Sequence, residues 1–185
     1  MISSSVRRAT SSSLSGCLLL AALLAACGGS SESKGPGAPA GVSVPPASAP
    51  VSFAFDSLDE RAVSSEVSRG KPAVLSFVTT GSLPAQAQVD FLVTMSKNDG
   101  DHVFYAVVSL DPRENRELVE IYRKSLGITF PVAMADDATR AGTGAFGDVT
   151  AVPVTILLDR LGRVVWRVDG RVAKSDELRG AMRGL

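Results

Sequence analysis

The stretch from Val74 to Phe91 holds the best-placed candidates for chemistry: an apolar run ends in Thr79-Thr80-Gly81, and Ser82-Leu83-Pro84-Ala85 then opens an amphipathic segment. The pattern reads as strand, tight turn and helix start. The first turn of a helix offers unpaired N–H groups and the positive end of a dipole, which suit an anion or a thiolate. The residues standing there supply a hydroxyl, Ser82, and a methyl, Ala85, but no thiol. A nucleophilic serine needs an adjacent base, and the one histidine, His102, falls in the turn ahead of a different strand. Ser82 therefore reads as a helix N-cap. Asp136-Asp137 read as caps at a helix start, and Trp166 as a packing residue. Softer metals need thiolate or imidazole ligands, so neither a metal nor another cofactor is expected.

The chain that must position these residues has 185 of them, 45% hydrophobic and 21% charged, enough for one core of ordinary size. Met1 to Ala26 has a basic start at Arg7-Arg8, an apolar run from Leu14 and a small-residue end, the pattern of a signal peptide. The run is too short for a transmembrane helix, which needs roughly 20 apolar residues. Leu24-Ala25-Ala26-Cys27 matches the bacterial lipobox, so Cys27 is expected to carry lipid and to anchor the chain to a membrane. Residues 27–50 form a Gly/Ser/Ala/Pro tether with too little apolar surface to fold. The domain then runs from 51 to 185. Both cysteines, Cys17 and Cys27, precede it, so it contains no thiol. Removing Arg7 and Arg8 with the signal peptide takes 19 basic residues to 17 against 19 acidic, a net of −2, which gives no basic footprint for nucleic acid.

Within the domain, Ala73–Val78 is apolar enough for a strand buried on both faces. Ala85–Ser96 carries a helical stripe of Ala87, Val89, Phe91, Leu92 and Met95. Val103–Leu110 is the clearest strand. Asp111-Pro112-x-Glu114 gives a helix-start signal for a helix over 112–126 that would bury Leu118, Ile121, Tyr122 and Leu126 and stop at Gly127. A short helix is expected over 138–146. A hairpin of Val154–Asp159 and Val164–Asp169 follows, then a last helix capped by Ser175. This order predicts an α/β domain with a mixed central sheet and helices on both faces.

The region from Phe53 onward resembles the TlpA-like (ResA-like) membrane-anchored thioredoxins, whose active segment is an apolar strand, then Phe-Trp-x-x-Trp-Cys-x-Pro-Cys, then a helix. On that pattern Phe77 matches the Phe, Val78 the first Trp, Gly81 the second Trp, Ser82 the first Cys, Pro84 the Pro and Ala85 the second Cys. Gly70-Lys71-Pro72, the Phe130-Pro131-Val132 segment and Val152-Pro153 match further landmarks in order. The resemblance implies a thioredoxin-like fold, a cis Val152–Pro153 bond, and His102 at the end of the sheet away from the Ser82 turn.

The family's activity, thiol–disulfide exchange, needs a thiolate, and neither matching position supplies one. The sequence therefore suggests a redox-inactive binding or scaffolding module at the bacterial cell envelope, facing the periplasm or the exterior. Its groove for an extended polypeptide or envelope protein would be lined by Gly81, Ser82, Leu83, Pro84, Val152 and Pro153. The alternative is a thiol–disulfide oxidoreductase or peroxiredoxin-like antioxidant protein by descent.

Overall fold

A computed structural model describes the backbone of Val42–Ser43 and all of residues 49–185. The expected signal peptide, Cys27 and most of the tether lie outside the described residues. Eight strands form one sheet in the order β1-β8-β7-β4-β5-β6-β2-β3. They are β1 (Val42–Ser43), β2 (Ala54–Ser57), β3 (Val63–Ser64), β4 (Ala73–Val78), β5 (Phe104–Ser109), β6 (Val132–Met134), β7 (Val154–Leu158) and β8 (Val164–Val168). β4, β5 and β6 run parallel, whereas β7 lies antiparallel to both β4 and β8. The sheet is thus mixed, as its sequence order requires: parallel neighbours are joined by helical crossovers and β7–β8 by a tight hairpin.

β4 sits at the centre, and all six of its residues are buried. Its alternation feeds two cores. Val74 and Val78 face one side, where they meet Ala85, Val89 and Leu92 of α2 (Leu83–Asp99), Val119 and Tyr122 of α3 (Arg116–Ser125) and Leu178 of α5 (Ser175–Met182). Ala73, Leu75 and Phe77 face the other side. There Phe53, Phe55, Phe77 and Phe146 form a cluster with ring centroids 5.2 to 6.4 Å apart. Phe146 comes from the loop behind the short helix α4 (Asp137–Arg140), which together with β2 and β3 covers this face. Tilted and edge-on ring pairs of this kind add to the area they bury.

The hairpin between β7 and β8 is built by Asp159. Its Oδ1 accepts from the amides of Leu161 and Arg163, both at 2.9 Å, and its Oδ2 accepts from Arg163 Nε at 2.7 Å. Burial alone would raise the pKa of this carboxyl, but the Arg163 and Leu161 amides and the Arg163 guanidinium outweigh it and hold the group below the ordinary value. Gly162 takes the left-handed turn position, φ 81°, that a side chain would resist.

Several sequence expectations shift. The helix expected over 112–126 begins as a 3₁₀ turn, Arg113–Asn115, and becomes α-helical only at Arg116. Its buried residues are Val119 and Tyr122, while Leu118 and Ile121 are 48% and 57% exposed. On α2, Ala87 and Phe91 face solvent, and Ala85, Gln88 and Val93 join Val89, Leu92 and Met95 inside. The helix expected over 138–146 shrinks to Asp137–Arg140, and α5 is capped from Lys174, with Ser175 its first helical residue.

Candidate functional site

The turn after β4 delivers Ser82 to the start of α2. Ser82 has extended backbone, φ −96° and ψ 114°, and its Oγ accepts from the Ala85 amide at 3.3 Å, so it caps the helix as expected. The Gln86 amide donates to the Ser82 carbonyl at 3.0 Å. Pro84 brings no N–H at all. The donors that would otherwise receive a thiolate or another anion are therefore mostly spent within the helix itself. Ala85 is fully buried, Ser82 is half-buried, and Leu83 projects with 77% exposure. Gly81 is exposed, and a Cβ built on it would meet no atom within 4 Å.

The neighbouring strands hold this turn from both sides. Phe77 pairs with Val154, so the loop ending in Val152-Pro153 lies beside the exit of β4, and the Val152–Pro153 bond is cis. The amide of Gly170 donates to the Pro153 carbonyl at 3.0 Å, tying this loop to the end of β8. On the other side, Asp111 leaves β5 and turns its carboxylate back across the sheet. Its Oδ2 accepts from the Thr80 amide at 2.9 Å and from Ser109 Oγ at 2.7 Å, and its Oδ1 from Thr80 Oγ1 at 3.0 Å. Asp111 is thus not the helix cap that Asp111-Pro112 suggests locally. It is a buried clamp on the turn, reaching 31 residues back along the chain.

Two further polar groups lie under this corner. Gln88, fully buried on α2 one turn past Ala85, accepts through Oε1 from the Ala173 amide at 2.6 Å, while its Nε2 finds no partner among the described residues. The Tyr122 hydroxyl is also buried without a partner among the described residues, and burial, then the charges of Asp90 and Asp111, push its pKa up to about 12. Tyr122 stands where the helical stripe expects a buried residue, whereas Gln88 does not stand out in the sequence, because it falls among apolar positions of a stripe and only the packed structure shows where it points.

His102 belongs to a 3₁₀ turn ahead of β5, and Ser82 follows the far end of the parallel strand β4. One six-residue strand, about 20 Å, separates them, so no serine–histidine pair forms. Asp136 caps α4, accepting from the Thr139 amide at 2.7 Å, and that hydrogen bond holds its carboxyl below the ordinary value. Asp137 pairs with Arg140, and Trp166 is buried in the core. Among the described residues no cluster of three or more His, Cys, Asp or Glu could hold a metal ion, and no helix is long and apolar enough to cross a membrane. Three surface pockets of about 330, 440 and 530 Å³ lie elsewhere, and none is lined by the 79–85 turn or the 152–153 loop. The candidate site is an open surface: an exposed apolar residue, a capped helix start and a half-buried Val152.

No family model matches the chain, and no curated protein does. Solved structures do match. A DsbF homologue from Corynebacterium diphtheriae superposes with a TM-score of 0.68 at 20% identity, over 82% of this chain and 96% of its own. A thioredoxin-family thiol:disulfide interchange protein from Chlorobium tepidum gives 0.62 at 21% identity, over 76% and 97%. A secreted thiol-disulfide isomerase from Corynebacterium glutamicum gives 0.57 at 18% identity, over 71% and 81%. The fold is thioredoxin-like. Within this thioredoxin-like domain the turn between β4 and α2 keeps its capped helix start and its cis-proline neighbour, while the two positions matched to the redox pair are Ser82 and Ala85.

Proposed function

We propose that this chain is a redox-inactive, thioredoxin-like lipoprotein that works as a binding or scaffolding module at the bacterial cell envelope. The observation that carries this reading is the turn itself. Ser82 spends its Oγ on the Ala85 amide, Ala85 is a buried methyl, and no cysteine follows Cys27. Thiol–disulfide exchange proceeds by thiolate attack on sulfur, and a hydroxyl cannot enter that cycle. The oxidoreductase reading by descent draws on the activities named for the similar structures, but it lacks a reagent here.

What the turn still offers is a recognition surface. An extended polypeptide can lie across Gly81, Ser82, Leu83 and Pro84 and along Val152-Pro153, taking affinity from main-chain hydrogen bonds and from the exposed Leu83 side chain. Titrating isotope-labelled domain with unstructured peptides is the test. Shifts that start at Ser82, Leu83 and Val152 support the groove. An unperturbed turn at about 1 mM peptide, a weak-binding ceiling, contradicts it.

The lipobox Leu24-Ala25-Ala26-Cys27 supports a lipid anchor on Cys27, and the secreted character of one similar structure agrees with an extracytoplasmic place. Cys27→Ser is expected to move the protein from the detergent phase to the aqueous phase and to remove the acyl mass from the mature N-terminus. Unchanged partitioning and mass would contradict the anchor.

A further inference from the structure

The two ends of the sheet carry opposite charge. β4, β5 and β6 finish at the end that holds the Ser82 turn, beside the start of β7, and they begin at the other end, where β7 turns into β8. At this second end the connections and last helical turns, 58–62, 69–72, 97–103, 123–131, 159–163 and 179–185, hold ten Lys or Arg against five Asp or Glu. At the Ser82 end, 79–86, 110–117, 135–153 and 169–178 hold five against nine. A net charge near zero thus hides a basic pole opposite the candidate groove.

We propose that this basic pole is a docking surface for an anionic lipid bilayer, which turns the Ser82 groove away from the membrane. The proposal rests on the reading of the chain as membrane-anchored, because a tethered domain meets a bilayer at high local concentration. Clustered Lys and Arg are drawn to anionic headgroups within about a Debye length of the surface.

The charges that matter are the ones the fold itself does not use. Three helices point their negative C-terminal ends to this pole, and Lys97, Lys124 and Arg179 complement them. Asp59, Asp99 and Asp159 are held by Arg61, Arg179 and Arg163. Arg69, Lys71 and Arg160 stand on loops away from any helix end and pair with no Asp or Glu among the described residues; Lys71 reaches only the Asp101 carbonyl, at 3.4 Å, and Arg160 the Leu185 backbone oxygen, at 3.1 Å. These three cations share one surface, since the Gly70 amide donates to the Arg160 carbonyl at 2.9 Å. Beside them, at the tip of the β7–β8 hairpin, Leu161 is 58% exposed. An apolar side chain flanked by cations suits the boundary between headgroups and acyl chains, whereas a soluble anion would leave it in water.

The test follows the full-length chain by NMR on lipid nanodiscs with a paramagnetic headgroup, made of phosphatidylcholine alone or with phosphatidylglycerol. With phosphatidylglycerol, the amides of 69–71 and 160–162 are expected to broaden well before those of 81–83, and less as salt rises. Arg69→Gln, Lys71→Gln and Arg160→Gln together are expected to weaken this binding about tenfold or more; the salt and lipid series decide without them if that variant does not fold. Equal broadening at both poles, earlier broadening at 81–83, or the same pattern on phosphatidylcholine alone would overturn the proposal. So would a stronger effect of soluble polyglutamate on the same amides, because the occupant would then be an acidic chain. Failure of the lipid anchor is read separately, from the partitioning of Cys27→Ser, and leaves these outcomes unchanged.

Discussion

Asp111→Ala is expected to destabilise the domain by about 2–4 kcal/mol, because truncating one acceptor strands one buried donor and two half-buried donors at once. The carboxylate takes three hydrogen bonds from two residues, the Thr80 amide and hydroxyl and the Ser109 hydroxyl. Two of these reach from the end of β5 to the turn beyond β4, so the loss falls on the junction that positions Ser82. Urea unfolding should show the loss, and amide exchange at Thr80 should rise more than exchange in β4. Asp111→Asn is expected to fall between the wild type and Asp111→Ala, since its remaining carbonyl can still accept from Thr80. A midpoint for Asp111→Ala within about 0.5 kcal/mol of the wild type, the range of an ordinary surface change, would mean that the turn is held by something else.

The second large effect is a gain. Ser82→Cys with Ala85→Cys, on a background where Cys17 and Cys27 are serine, is expected to form an intramolecular disulfide under mild oxidant. The two residues bracket the first turn of α2, with the Ser82 Oγ already 3.3 Å from the Ala85 amide. A disulfide requires Cα atoms at roughly 4.4–6.8 Å, a separation that one helical turn provides. The graft has costs. Replacing the Ser82 cap loses about 1 kcal/mol, and a sulfur at the fully buried Ala85 position must find room, at about 1–3 kcal/mol if the core does not yield. At Gly81, where the resemblance places a tryptophan, an added Cβ would meet no atom within 4 Å. Thiol titration reads the result. Two persistently free thiols in a folded protein would mean that the turn lacks the disulfide geometry.

Much of this site was legible in the sequence, for local reasons. The apolar run of β4, the Ser82 cap and the proline before β7 are each written in a few adjacent residues, and each stands where expected. Asp111 was misread because its local neighbour Pro112 makes a good helix-start signal, whereas its actual partner, Thr80, lies across the sheet. No local pattern reports such a contact. The buried face of α3 shifted for a related reason. The helix begins at Arg116 after a 3₁₀ turn, so its phase follows Val119 and Tyr122 and leaves Leu118 and Ile121 outside. Gln88 escaped notice because a glutamine in a helical stripe reads as surface, until the Ala173 amide supplies its partner. The pairing of Val42 and Ser43 with β8 was hidden because these residues stand in a small-residue, proline-rich stretch with no strand signature of its own.

Insulin reduction measured side by side for the wild-type chain and the Ser82→Cys, Ala85→Cys graft tests the central claim most directly. The wild type is expected to reduce insulin no faster than buffer with the same dithiothreitol, and the graft to exceed that rate, since the scaffold would lack only its thiols. Catalysed reduction by the wild type, in a chain with no cysteine after Cys27, would contradict the reading of this domain as a binding module.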